Sequence, residues 1–167
     1  GSGTAYVFSL STGLLTQTIV NPNPTGTGVN DYFMGMDMNN TYIIGAAHQE
    51  DQTTTNTGTA YLFEISSGSL VRTIVNPTPA ANDFFGYSAG INSTHYAISS
   101  YADDVDGTDR GAIYVYEIST GNLIHTLYNP TPIAETSTVA RFGIKLAMSD
   151  LFVLAGAPYQ DNFTIED

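Results

Sequence analysis

Apolar and polar residues alternate along most of this chain. From Thr59 the run Thr59-Ala60-Tyr61-Leu62-Phe63-Glu64-Ile65 is rich in aromatic and β-branched side chains, the pattern of a half-buried strand. Ser66-Ser67-Gly68 predicts a tight turn, with Gly68 free to take positive φ. Ser69 to Val75 reads as the partner strand. Asn76-Pro77-Thr78-Pro79 ends the pairing, because proline lacks the N–H a ladder needs and restricts the residue before it. The same hairpin recurs. GTAYVFSLSTGLLTQTIVNPNP begins at Gly3, GTAYLFEISSGSLVRTIVNPTP at Gly58 and GAIYVYEISTGNLIHTLYNPTP at Gly111, 55 and 53 residues apart.

A second hairpin follows in each unit. Its first strand carries Met34, Met36 and Met38, then Tyr87, Ala89 and Ile91, then Ile144, Leu146 and Met148. Every second residue is apolar, so one face of this strand is expected to pack inward. The three methionines are accordingly read as core rather than as thioether metal ligands. Polar turns at Asn39-Asn40, Asn92-Ser93-Thr94 and Ser149-Asp150 lead into return strands at 41–46, 95–100 and 151–157. These end in small residues, Gly45-Ala46-Ala47, Ser99-Ser100 and Ala155-Gly156-Ala157-Pro158, which suit a crowded inner surface where strands of neighbouring units converge.

Each period thus holds four strands, and no stretch has a helical period with caps. The expectation is an all-β single repeat domain over 1–167, with units at about 3–57, 58–110 and 111–167. Such a period points to β-propeller blades of four antiparallel strands. One unit cannot bury its own apolar face, so stability lies in stacking.

Phe85-Gly86 and Phe142-Gly143 open the second hairpin, and Gly156-Ala157-Pro158 closes it in the third unit. With an acidic loop and a following Gly-x-x-Tyr-Val-Phe or near relative, this resembles the FG-GAP repeat family, whose propellers include the head of integrin α subunits and many bacterial and viral surface proteins. It is most similar to the short-hairpin branch. The first unit departs, with Tyr32-Phe33 where Phe-Gly is expected and Gly45-Ala46-Ala47 for Gly-Ala-Pro; the second has Ser99-Ser100-Tyr101 there. The integrin-type calcium loop would sit inside the second hairpin, where this chain has only a few residues, so that site does not carry over.

The chain opens on the third and fourth strands of a blade and finishes on the first and second. Three blades' worth of strands is too few for a closed ring, since propellers have about four to eight blades. Two readings stay open: further repeats in a longer chain, or head-to-tail self-association through the terminal hairpins, which gives a ring or a fibre. Gly1 already lies inside the repeat pattern, so the expectation is a mature piece or a fragment.

Composition narrows the partners. Only 12% of residues are charged, with 16 acids against 4 bases and a net charge of −12. Nucleic acid is excluded as a partner, because phosphate binding needs clustered Lys and Arg. The same balance argues against an anionic membrane surface. No apolar run approaches the ~20 residues of a membrane helix, so membrane insertion is not expected. Sugars, cations and basic protein patches remain. There is no cysteine, hence no disulfide, thiolate metal site or cysteine nucleophile. Low Lys with high Thr and Asn suggests an extracellular protein on a cell or virion surface.

Asp103, Asp104, Asp106 and Asp109 surround Gly107. They partly satisfy a D-x-D-x-D-G-x-x-D calcium loop, and they equally suit a solvated turn. His48, His95 and His125 stand in different parts of the repeat, without the spacing of a zinc or catalytic site. There is no G-x-S-x-G elbow. Tyr6, Tyr61, Tyr114 and Tyr116 recur within strands and are expected in the core. Asn39, Asn92 and Asn162 are sequons. No catalytic residue and no cofactor other than Ca²⁺ is expected. Function is read as a non-catalytic propeller module for adhesion or for binding a protein or glycan on a surface. The alternatives are a structural subunit of an extracellular filament or virion appendage, and an accessory propeller of a larger secreted enzyme.

Overall fold

The computed structural model describes residues 1–24, 30–105, 108–130 and 140–159. Every regular element among them is a β-strand: β1 (Thr4–Phe8), β2 (Leu15–Val20), β3 (Phe33–Met38), β4 (Tyr42–Ala47), β5 (Thr59–Glu64), β6 (Leu70–Val75), β7 (Phe85–Ile91), β8 (His95–Ser100), β9 (Ala112–Glu117), β10 (Leu123–Tyr128), β11 (Lys145–Met148) and β12 (Val153–Gly156). All pairings are antiparallel. Strands β3-β4-β5-β6 form one complete four-stranded blade and β7-β8-β9-β10 a second, while β1-β2 and β11-β12 are two-stranded halves. The phase expected from the repeats is therefore present.

The blades share one register. Tyr42 faces Glu64 and Ala47 faces Thr59; His95 faces Glu117 and Ser100 faces Ala112. Tight turns gather at one end of the blades. The longer connections, 48–58 and 101–111 among them, gather at the other.

The core lies between blades. Ala5 and Ile19 of the first half-blade pack on Phe33, Ile43, Tyr61 and Phe63 of the next blade. Ile44, Leu62 and Ile74 pack on Ile91, Tyr96, Tyr114 and Tyr116. Ile113 and Val115 meet Phe142, Leu146 and Met148. Each complete blade thus packs on a neighbour through both faces, and the Gly-Ala-Ala and Ser-Ser ends of β4 and β8 are fully buried between neighbours. At the start of β5, Gly58 has φ +84, and a Cβ there would overlap the Phe85 carbonyl of the next blade. Glycine lets strand and neighbour touch backbone to backbone.

Three expectations change. Met34, Met36 and Met38 are 50%, 41% and 46% exposed, whereas the equivalent Ala89 and Ile91 are buried. The strand alternates as expected, but its methionine face points to where a preceding blade's inner strands would lie, and among the described residues the first half-blade consists of β1 and β2 alone. For the same reason Tyr6 is 59% exposed while Tyr61, Tyr114 and Tyr116 are buried. Finally, Phe33, not Tyr32, holds the Phe position. Gly3, Gly58 and Gly111 abut Phe33, Phe85 and Phe142 in turn, and the preceding Tyr32, Phe84 and Arg141 all have positive φ. The first unit lacks the glycine that follows.

Candidate binding face

The long-loop end is built by repetition. In the 48–58 loop, Glu50 is fully buried and accepts from the Tyr61 hydroxyl at 2.7 and 2.8 Å. In the 101–111 loop, Asp103 is buried and accepts from the Tyr114 hydroxyl at 2.6 Å. The next acid caps the loop's return: Asn56 N–H donates to Asp51 Oδ1 and Asp109 N–H to Asp104 Oδ1, both at 2.7 Å. Gly58 N–H and Gly111 N–H then donate to the carbonyls of Glu50 and Asp103. These acids are consumed in closing two equivalent loops. Burial and the adjacent carboxylates push the Tyr61 and Tyr114 hydroxyls up, so both remain donors at any ordinary pH.

The Asn-Pro corners hold the next layer. Asn76 Nδ2 donates to Asp83 Oδ2 at 2.7 Å, and Asn21 Nδ2 to Asp31 Oδ2 at 3.1 Å. Each asparagine also accepts from a backbone N–H two residues on. Burial pushes the Asp83 carboxyl up to about 6; the Ala80 and Asn76 donors oppose that and the Asp103 charge adds to it.

Over these loops runs a ladder of rings. Tyr32 stacks on His48 at 5.6 Å. His48 meets Tyr87 of the next blade edge-on at 5.0 Å and lies 6.1 Å from Phe84. Phe84 stacks on Tyr101 at 5.3 Å, with Tyr87 edge-on to the same ring at 4.6 Å. The Arg141 guanidinium lies between Tyr101 and Tyr159, 5.6 and 4.9 Å from the ring centroids, within cation–π range. The ladder crosses three blades. Tyr32 and Tyr159 stand exposed at its ends, and His48 is buried in its middle, where burial lowers the imidazole pKa.

Among the four aspartates read as a calcium loop, Asp103 turns inward to Tyr114 and Thr78, while Asp104 is exposed and caps Asp109 N–H. Asp106 lies outside the described residues. The histidines do not converge: His48 sits in the ladder, whereas His95 and His125 lie towards the opposite end, beside a separate cleft. Two sequon asparagines are latches. Asn39 Nδ2 donates to the Asn92 carbonyl at 2.7 Å and Asn92 Nδ2 to the Ser149 carbonyl at 2.8 Å, each joining one blade to the next. Asn162 lies outside the described residues. The ladder itself was missed from sequence, because its members sit at loop ends far apart in the chain. The available signal was an aromatic or Arg just before each β-opening Phe, at Tyr32, Phe84 and Arg141.

The FG-GAP repeat family model matches residues 69–116, from β6 through β9. A search of curated proteins returned no match.

Proposed function

We propose that this chain, which carries an FG-GAP repeat over 69–116, is a non-catalytic binding module of the propeller type, acting in adhesion on a cell or virion surface. One observation carries the reading: the aromatic ladder from Tyr32 to Tyr159, with Arg141 seated in it, lies among the long loops at one end of stacked blades. Tyrosine and arginine provide rigid contact area with a polar tip, the chemistry that dominates protein recognition sites. Loops on a rigid scaffold are where binding residues concentrate. A protein partner fits best, and a glycan is the competing outcome.

The test compares the parent with a Tyr32→Ser/Tyr159→Ser variant. Both side chains are exposed, so the fold tolerates the change. Binding to intact cells and to a glycan array is measured for both. Cell binding by the parent, weakened at least tenfold in the variant, supports the reading. Array binding alone assigns the face to glycans. No binding in either format, or equal binding by both proteins, ends it.

A further inference from the structure

We infer that Arg141 is the carboxylate-binding residue of the ladder face and takes an Asp or Glu side chain of a protein partner. The inference rests on the binding role proposed above and names the chemistry that face selects. The template is internal. Each blade's long-loop end repeats one contact, between the residue just before the β-opening Phe and a side chain from the loop after the second strand. Tyr32 stacks on His48 and Phe84 on Tyr101. In the third unit Arg141 lies over Tyr159. A guanidinium therefore occupies a slot that twice holds a ring. The slot is complete there. Phe84 lies between His48 of the preceding blade and Tyr101 of its own, and Arg141 likewise lies between Tyr101 and Tyr159.

The backbone is strained to make that placement. Arg141 has φ +51, where a side chain crowds the following carbonyl. Among the described residues with positive φ, all but Tyr32, Phe84 and Arg141 are Gly, Asn or Asp, the types that adopt it most readily. The three exceptions are the equivalent positions that build the ladder, and backbone strain of this kind gathers where side chains serve binding. The guanidinium is also uncommitted. It carries five N–H donors and no acceptor. The chain has 16 acids against 4 bases, yet among the described residues no hydrogen bond or ion pair reaches the Arg141 guanidinium. Arg72, by contrast, donates to the Ile118 carbonyl. The two rings limit how the Arg141 side chain turns, which pre-organises a planar fork, and the matching ligand for such a fork is a carboxylate held by two parallel hydrogen bonds. A net charge of −12 repels an acidic patch. One carboxylate set among uncharged groups, its methylene stem covered by the adjoining rings, is what this face accommodates.

The test reads the guanidinium directly. The arginines of the chain are Arg72, Arg110 and Arg141, so their Nε–H signals are resolved by NMR, and Arg141→Gln identifies the one that matters. The parent is titrated at fixed ionic strength with the peptide acetyl-Gly-Glu-Gly-amide and with its Gly-Gln-Gly counterpart. The Arg141 signal should shift saturably, about tenfold more tightly with the Glu peptide than with the Gln peptide, while Arg72 stays still. Arg141→Lys keeps the charge and loses the fork, so Glu-peptide binding, followed at the Tyr101 ring signals, should weaken about tenfold. An unmoved Arg141 signal overturns the inference, as does an equal response to both peptides or undiminished binding by Arg141→Lys. Methyl glucuronide bound more tightly than the Glu peptide gives the fork to an acidic sugar and overturns the protein assignment. The titration requires no cell binding. Cell binding that depends on Tyr32 and Tyr159, with no peptide response at Arg141, overturns the carboxylate role and leaves the ladder reading standing.

Discussion

Two buried groups at the long-loop end set opposite pH dependences. Asp83 holds its proton up to about pH 6 in the folded chain, against about 3.9 in an unfolded one. The folded state therefore binds more protons between those values, and this group's contribution to stability falls as pH rises from 4 to 6. Asp83→Asn keeps an oxygen for the Asn76 and Ala80 donors and removes the buried charge. It should raise stability at pH 7 by about 1–2 kcal/mol, and remove that decline, in urea titrations across pH. His48 works the other way. Its folded pKa is lowered by burial, so the unfolded state binds the extra proton and stability falls as pH drops below about 6.5. His48→Phe keeps the ring stack and should flatten that loss in the same titrations. Tyr114→Phe leaves Asp103 short of a buried donor and should cost about 1–3 kcal/mol, read as a lower urea midpoint. Asn92 is buried and donates its amide to the next blade. Intact mass of protein secreted by a glycosylating host should show no glycan at Asn92.

Among elements, the seam between blades matters more than any strand. A strand here pairs within its own sheet, yet its side chains are covered by the next one. Gly58→Ala tests this. The backbone must keep φ +84 against the Phe85 carbonyl, so the change strains one blade and pushes its neighbour. A loss of about 2–4 kcal/mol in chemical denaturation is expected. At Gly13 the same substitution meets no neighbouring atom and keeps only the cost of positive φ, about 1 kcal/mol. The hairpins, their turns and the Asn-Pro stops were legible in advance, since each is a local pattern of alternation, glycine and proline. The missing glycine after Phe33 was not. One absent residue shifts a motif without disturbing the alternation around it, and only the contact with Gly3 restores the register.

For the molecule as a whole, charge works against compaction. A net charge of −12 destabilises the folded state through like-charge repulsion, which salt screens over about 10 Å at 0.1 M. Stability should rise as ionic strength goes from 0.01 to 0.5 M, read as a higher urea midpoint. A fold held chiefly by ion pairs would lose stability instead.

Alternation, turn residues and a repeated hairpin sufficed to establish the strands, their order and the half-blade phase, because each depends on neighbours in the chain. Which faces are covered was decided by tertiary structure. The methionine strand and the Tyr87-Ala89-Ile91 strand alternate alike, yet one is exposed and the other packed, since coverage comes from the adjacent blade. The ladder from Tyr32 to Tyr159 and the inward turn of Asp103 belong to the same class. Period-two alternation records that a strand has two faces, and only the stacking of blades determines what each face meets.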